Sequence, residues 1–137
     1  FVSLHWGDEL QHRPADWQRE LGRSIIDAGA TAVLGHHPHV LQSAEQYHGG
    51  LILYSMGNFV FDMASGSTYD TAAVRIVVSG GRMDHADILP LSIDRTGYRP
   101  VPASAQEATR RLADMQRWSA DTRTTILIQQ GTGRLVF

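Results

Sequence analysis

The feature that most constrains this chain is a cluster of histidines placed directly after a short apolar run. The run Ala32 to Leu34 predicts a buried strand, and Gly35 predicts a sharp turn where that strand ends. Three of the seven histidines follow within four positions: His36, His37 and His39. Pro38 fixes its own φ and is expected to hold His37 in an extended conformation. Imidazoles crowded at a strand end cannot all pack in a core, so this stretch predicts a functional site.

A metal site is the best interpretation of this cluster, because neutral imidazole is the commonest side-chain ligand of metals. The chain has no cysteine, so thiolate zinc sites and disulfides are excluded. Any ion must therefore be held by histidine together with carboxylate or amide oxygens. The alternative is a polar loop in which the histidines are incidental.

A second histidine is expected at the same edge of the same sheet. Phe1 to Leu4 predicts a short buried strand that ends at His5. Pro14 to Ala28 predicts a helix with an apolar packing face, and the strand at Ala32 to Leu34 completes a βαβ unit. The residues expected on that face are Trp17, Leu21, Ile25 and Ala28, with Gln18, Arg19 and Arg23 pointing elsewhere. Parallel neighbouring strands would bring His5 to the histidine cluster.

Two further side chains are candidates for this edge. Glu9 follows His5 closely and could accept a hydrogen bond from a ligand imidazole, although it could also belong to a solvated turn with Asp8. Asn58 lies in a Gly-Asn turn between two apolar runs. Its amide oxygen could face the metal edge, or it could bond its own backbone in the turn.

The rest of the chain predicts hairpins and one more helix, which makes the fold class α/β. Hairpins are expected to join residues 40–46 to 51–54 and residues 71–79 to 83–93. A capping box, Ser104 to Glu107, predicts a helix that ends near Trp118. Residues 95–102 predict a loop, residues 125–128 an extended run, and residues 134–137 a further strand or a frayed end.

Composition bounds the class of protein. The 137 residues suit one domain, with 42% apolar and 19% charged residues. The net charge of −2 and the lack of a basic block argue against nucleic acid as a partner. No apolar run approaches the roughly 20 residues needed to span a bilayer. Because the chain begins at Phe1 inside a strand-like run, we expect it to be a piece of a longer protein.

Several motifs, in order, resemble the CapA family, which is associated with bacterial poly-γ-glutamate capsule biosynthesis and related to the calcineurin-like metallophosphoesterases. These motifs are His5-Trp-Gly-Asp-Glu9, Pro14 with Gln18, Asp27-Ala-Gly-Ala30, Gly35-His-His-Pro-His-Val-Leu-Gln42 and Tyr54-Ser-Met-Gly-Asn-Phe-Val-Phe-Asp62. The resemblance covers residues 1 to about 118, with residues 119–137 as a carboxyl-terminal extension, and Leu10 departs from it where an aromatic is expected.

The resemblance implies a four-layer α/β/β/α metallophosphatase-like sandwich, of which this chain is the carboxyl-terminal half of a single domain. It implies two divalent ions of the Mn, Fe or Zn class, with His5, His37 and His39 as ligands. His36 is an alternative member of the ligand set, since the cluster has one histidine more than the superfamily's His-x-His pair. The aspartates and the Asn-His motif that complete such a site belong to the half of the domain that precedes this chain.

The activity implied is hydrolysis by a metal-activated water, with His36 protonating the leaving group and Glu9 and Asn58 supporting substrate or ligands. The substrate would be poly-γ-glutamate or a phosphoester. The alternative is a non-catalytic polymer-binding or scaffold component of a capsule synthesis or export complex, with other membrane proteins of that complex as partners. Either role implies the extracytoplasmic face of the membrane, through an anchor outside this chain.

Overall fold

The computed structural model describes residues 1–62 and 65–137 and confirms a mixed α/β fold with two sheets. Its helices and strands lie, in chain order, at β1 Val2–His5, α1 Asp16–Asp27, β2 Ala32–His36, β3 Ala44–Tyr47, β4 Gly50–Leu53, β5 Asp70–Ser79, β6 Arg82–Ile93, β7 Pro100–Pro102, α2 Ala105–Trp118, β8 Leu127–Gln129 and β9 Thr132–Val136. Short 3₁₀ turns occupy Gly66–Tyr69 and Ala120–Thr122.

The first sheet has the order β1-β2-β4-β3, in which β1, β2 and β4 are parallel and β3 is antiparallel to β4. The predicted βαβ unit and the hairpin before β4 are therefore both confirmed. Both faces of this sheet are covered, so β2 and β4 are almost continuously apolar. Alternate residues face opposite sides: Leu51 and Leu53 enter one core cluster, while Ile52 and Tyr54 enter another with helix α1.

The second sheet has the order β5-β6-β9-β8, with β7 paired to the end of β6. The long β5–β6 hairpin matches the prediction. Of the two alternatives for the carboxyl-terminal run, a strand or a frayed end, the structure has the strand, β9, which pairs with β6. Helix α2 begins at the predicted cap, where Ser104 accepts a hydrogen bond from the Glu107 N–H. The larger core cluster joins both sheets to α2, and it includes Leu135 from the last strand. Residues 119–137 thus belong to the same core.

Three expectations about the helices and strands were wrong. Residues 100–102 form a strand instead of a loop, because prolines are tolerated on an edge strand. Gly35 lies inside β2, not at a turn. A Cβ there would lie 1.9 Å from the Tyr54 carbonyl oxygen and 2.4 Å from Trp6 Nε1, so close packing requires glycine at this position. Helix α1 is also rotated from the predicted packing face.

The packing face of α1 is formed by Gln18, Gly22 and Ile26, which are buried, while Trp17 is 48% and Leu21 is 43% exposed. The reason is that Gly22 lets the helix approach the first sheet closely: a Cβ at Gly22 would already lie 3.2 Å from Ile52 and from Trp6. The buried Gln18 amide meets its hydrogen-bonding needs inside the protein.

Within the described residues, neither helix is long and apolar enough to cross a membrane.

Candidate metal centre

The carboxyl ends of β1 and β2 bring the predicted histidines together. His5 and His36 are register partners, each the last residue of its strand. The Trp6 N–H continues the pairing by donating to the His36 carbonyl at 3.0 Å. The ring centroids of His5 and His37 lie 4.5 Å apart, and those of His37 and His39 lie 5.9 Å apart. Parallel pairing therefore produces the shared edge that the βαβ pattern predicted.

The loops beyond the strands bring three possible ligands within reach of one ion. Glu9, His37 and His39 each offer one ligand atom, and these atoms all lie within 4.8 Å of one another. His37 and His39 are partly buried, and Glu9 is exposed. In the part of the chain that the structure describes, His5 adjoins this trio through His37 but is not a member of it.

Two imidazoles and one carboxylate form a donor set that fits Zn²⁺, Mn²⁺ or Fe²⁺. The geometry places Glu9 as a possible direct ligand, whereas the sequence predicted it only as a partner of a ligand or of substrate.

Strained backbone conformations occur at the centre of this arrangement. His37 has φ of 100° and His39 has φ of 62°, so the expectation that Pro38 would keep His37 extended was wrong. Leu10, next to Glu9, also has a positive φ of 60°. The two loops are tied by a hydrogen bond from the Leu10 N–H to the Pro38 carbonyl at 2.8 Å. Non-glycine residues rarely adopt such angles, and they cluster where the surrounding structure holds functional groups in place.

Asn58 contacts a candidate ligand directly. Its Oδ1 accepts a hydrogen bond from His39 Nδ1 at 2.7 Å, and its Nδ2 donates to the Thr68 carbonyl at 3.2 Å. The bond to Thr68 fixes which end of the amide faces the histidine. Because Nδ1 of His39 then carries the proton, Nε2 is the atom free to bind an ion. Phe61 packs against the same ring, with centroids 5.2 Å apart.

His36 faces a different environment. It lines a groove of about 400 Å³ together with Asn58, Phe59 and β5 residues 72–74. Burial lowers the pKa of His36, and the neighbouring His5 lowers it further. Both effects favour the neutral form of the His36 imidazole. The remaining histidines lie elsewhere: His48 contacts Asp27, His85 contacts Asp84, and His12 stacks on Trp118.

Sequence reasoning missed two features of this region. The contact of Phe61 with His39 carried no signal beyond its place in the motif after Asn58. The buried pair Gln18 and Gln42 was quoted within the motifs without a role, and Gln18 was expected to point away from the core.

These observations define a class: an α/β protein in which two imidazoles and a carboxylate, all possible metal ligands, gather beyond the ends of parallel strands. Comparison with known proteins then identifies the family. Residues 1–63 match the family described as bacterial capsule synthesis protein PGA_cap. The capsule biosynthesis protein CapA of Bacillus anthracis is 41% identical over 103 residues, covering 75% of this chain and 25% of that protein. The PGA biosynthesis protein CapA of Bacillus subtilis is 42% identical over 100 residues, covering 73% and 26%.

The chain belongs to the CapA family of capsule biosynthesis proteins, which confirms the resemblance stated above. A probable polyglutamine synthesis accessory protein of Mycobacterium tuberculosis is more distant, at 28% identity over 102 residues, covering 69% of this chain and 27% of that protein. The chain spans about a quarter of the length of the curated relatives it matches.

Proposed function

We propose that this chain carries part of the metal centre of a divalent-metal-dependent hydrolase that acts in poly-γ-glutamate capsule biosynthesis. One observation carries the proposal: Glu9, His37 and His39 present ligand atoms within 4.8 Å of one another at the carboxyl ends of parallel strands. Ligands and catalytic groups of open α/β sheets collect at that edge.

The chain's own residues would have distinct roles there. Glu9, His37 and His39 would hold one ion, and Asn58 would keep His39 in the tautomer that leaves Nε2 free. A bound divalent ion supplies a positive charge that stabilises developing negative charge and lowers the pKa of water. His5, whose ring centroid lies 4.5 Å from that of His37, is a further imidazole beside the trio.

His36 remains the candidate for proton transfer, facing the groove beside Asn58. Its lowered pKa favours the neutral imidazole, so at neutral pH it is better suited to accept a proton first and donate it later.

The wider architecture is part of the same proposal. A sheet covered by α1 on one face and packed toward a second sheet on the other is consistent with part of a four-layer metallophosphatase-like sandwich. The chain would then be the carboxyl-terminal half of the domain, and residues outside it would complete the second of two ion sites. The names of the Bacillus relatives support poly-γ-glutamate synthesis as the setting, with this polymer or a phosphoester as substrate. We extend the proposal to the extracytoplasmic face of the membrane, with other capsule-synthesis proteins as partners.

A second candidate is a non-catalytic accessory that binds polymer or partner proteins. The name of the Mycobacterium tuberculosis relative, an accessory protein of polyglutamine synthesis, favours it. So does the apolar surface around the site, where Leu10 is 57%, Phe59 is 53% and Val60 is 71% exposed.

The test is the metal content and the hydrolytic activity of the full-length protein beside its His37→Ala, His39→Ala double variant. His48→Ala is the matched control, since His48 is exposed and contacts Asp27 away from the cluster. We expect bound divalent metal in the wild type and the control, and its loss in the double variant with an unchanged circular dichroism spectrum. Turnover of phosphoester or γ-glutamyl amide substrates should be lost with the metal. A wild-type protein that binds no divalent ion would refute the hydrolase and leave the accessory role.

A further inference from the structure

Two buried glutamines connect the loop that carries Glu9 to the chain that follows the histidines. Gln18 on α1 and Gln42 after the histidine loop are both fully buried. The Gln18 Nε2 donates to Gln42 Oε1 at 3.3 Å, and Gln42 Nε2 donates to the Gln11 carbonyl at 2.8 Å. At the other end, Gln18 Oε1 accepts from the Ala15 N–H at 3.2 Å. The two amides thus form a hydrogen-bonded chain.

Both ends of this chain lie in the segment between β1 and α1. That segment, residues 6–15, has no helix or strand and contains Glu9. Gln11 is two positions after Glu9 and Ala15 is just before α1, so the glutamines hold the segment at two backbone groups. Gln42 is itself anchored, because its N–H donates to the Ser55 carbonyl at 3.1 Å. Ser55 lies just after the end of β4, so the anchor is the chain next to the first sheet.

The segment packs on the Gln18 amide without spare room. A Cβ at Gly7 would lie 2.5 Å from Gln18 Nε2 and 2.8 Å from Gln18 Oε1. Apolar side chains of the same size could fill this volume, but they would not orient the backbone, since only hydrogen bonds are directional. Burying two amides is unfavourable unless each finds partners, and here both do.

We propose that Gln18 and Gln42 are a positioning pair that fixes the Glu9 segment against His37 and His39. Its role in metal binding depends on the function proposed above, whereas its effect on the segment does not. Neither glutamine belongs to the trio of possible ligands. Both act through the backbone at Gln11 and Ala15, and so through the place that the Glu9 carboxylate occupies.

The test uses Gln42→Met, which keeps the approximate volume and removes both side-chain hydrogen bonds of Gln42. That variant leaves the buried Gln18 amide without its hydrogen-bond acceptor. A Gln18→Met, Gln42→Met double variant removes both amides, and we expect it to destabilise the fold less than a single unpaired amide does. The matched control is Gln116→Met. Gln116 also joins a helix to loop backbone, at the Thr124 carbonyl and the Ile126 N–H, but in the other part of the molecule.

Two measurements separate positioning from general stability. Titration calorimetry with Mn²⁺ at a temperature well below unfolding reports metal affinity, and hydrogen exchange of the metal-free protein reports opening of residues 6–15. In both glutamine variants we expect a 10- to 100-fold weaker Mn²⁺ affinity, the range seen when groups supporting metal ligands are removed. Exchange should quicken in residues 6–15, and Gln116→Met should change neither quantity.

A Glu9→Gln background shows whether the pair acts through Glu9. Adding Gln42→Met to Glu9→Gln should weaken Mn²⁺ binding no further, and a full additional loss would overturn the proposal. Unchanged affinity and unchanged exchange in both glutamine variants would also overturn it. A wild type that binds no Mn²⁺ would refute the metal function, while selective quickening of residues 6–15 would still establish the positioning pair.

Discussion

Gly35→Ala is the substitution for which the structure gives the clearest expectation. A Cβ at this position would lie 1.9 Å from the Tyr54 carbonyl oxygen and 2.4 Å from Trp6 Nε1. These same two atoms form a buried hydrogen bond of 2.8 Å, so the methyl group would enter the space between donor and acceptor. The backbone and the indole must separate, because neither is the flexible end of a long side chain.

The magnitude follows from two separate effects. Overpacking a dense core costs about 1–3 kcal/mol, and leaving buried hydrogen-bonding groups unsatisfied costs about 1–3 kcal/mol. We expect a loss of about 3–5 kcal/mol, a large part of the roughly 5–15 kcal/mol that stabilises an ordinary domain. No backbone strain enters this expectation, since Gly35 lies in β2 without a positive φ.

Urea unfolding followed by circular dichroism measures the loss as a fall in the midpoint at constant m-value. Gly97→Ala is the control, because a Cβ there meets side-chain atoms alone, the nearest being Asp94 Oδ2 at 2.9 Å, and its expected change is below about 1 kcal/mol. If Gly35→Ala costs less than about 1 kcal/mol, the close approach of Tyr54 and Trp6 does not explain this glycine, and the steric argument is refuted.

Three further predictions concern the candidate site, acid stability and a helix end. Asn58→Ala should weaken divalent-metal affinity about 10- to 100-fold with little change in secondary structure, because His39 loses its orienting acceptor; calorimetric titration measures this, and an unchanged affinity would contradict it. Two arginines lower the pKa of Asp87 from 3.8 to about 2, so its stabilisation of the fold is complete above about pH 4 and is lost as the pH falls toward 2. In urea unfolding, the wild type should lose about 1–2 kcal/mol more stability than Asp87→Asn between pH 5 and pH 2, after allowance for solvent screening of the exposed arginines, and equal losses would contradict this role of Asp87. Ser104→Ala removes the cap of α2 and should lower the unfolding free energy by about 1 kcal/mol, and no measurable loss would mean that the cap does not stabilise the helix.

The features that the sequence predicted well are those with local causes. The capping box at Ser104, the hairpin before β4 and the long β5–β6 hairpin each depend on residues close together in the chain. The shared edge of His5 and His36 followed from one topological rule, that a βαβ unit makes parallel neighbours.

The packing face of α1 could not be predicted in the same way, because its determinants are distant in sequence. Periodicity favoured Trp17 and Leu21, which are large and apolar, over Gln18. Gln18 is buried because its hydrogen-bond partner is Gln42, 24 residues away, and because Gly22 fits against Ile52. Hydrophobic periodicity treats a buried amide as unfavourable. It carries no information about a distant hydrogen-bond partner that offsets the cost of burial.

In the candidate site, the part formed by the sheet could be predicted from the sequence and the part formed by the loops could not. Strand register alone places His5 beside His36, yet the trio with converging ligand atoms is Glu9, His37 and His39, all of which lie beyond the strands. Next to Glu9, Leu10 adopts a positive φ and its N–H donates to the Pro38 carbonyl, and no sequence pattern signals either fact. Such angles are costly for non-glycine residues, so they persist only where other contacts over-determine the backbone. Here those contacts are the bond between the two loops, Asn58 on His39, and the buried glutamine pair. The strands determine where the candidate site lies, and these loop contacts determine which of its residues have converging ligand atoms.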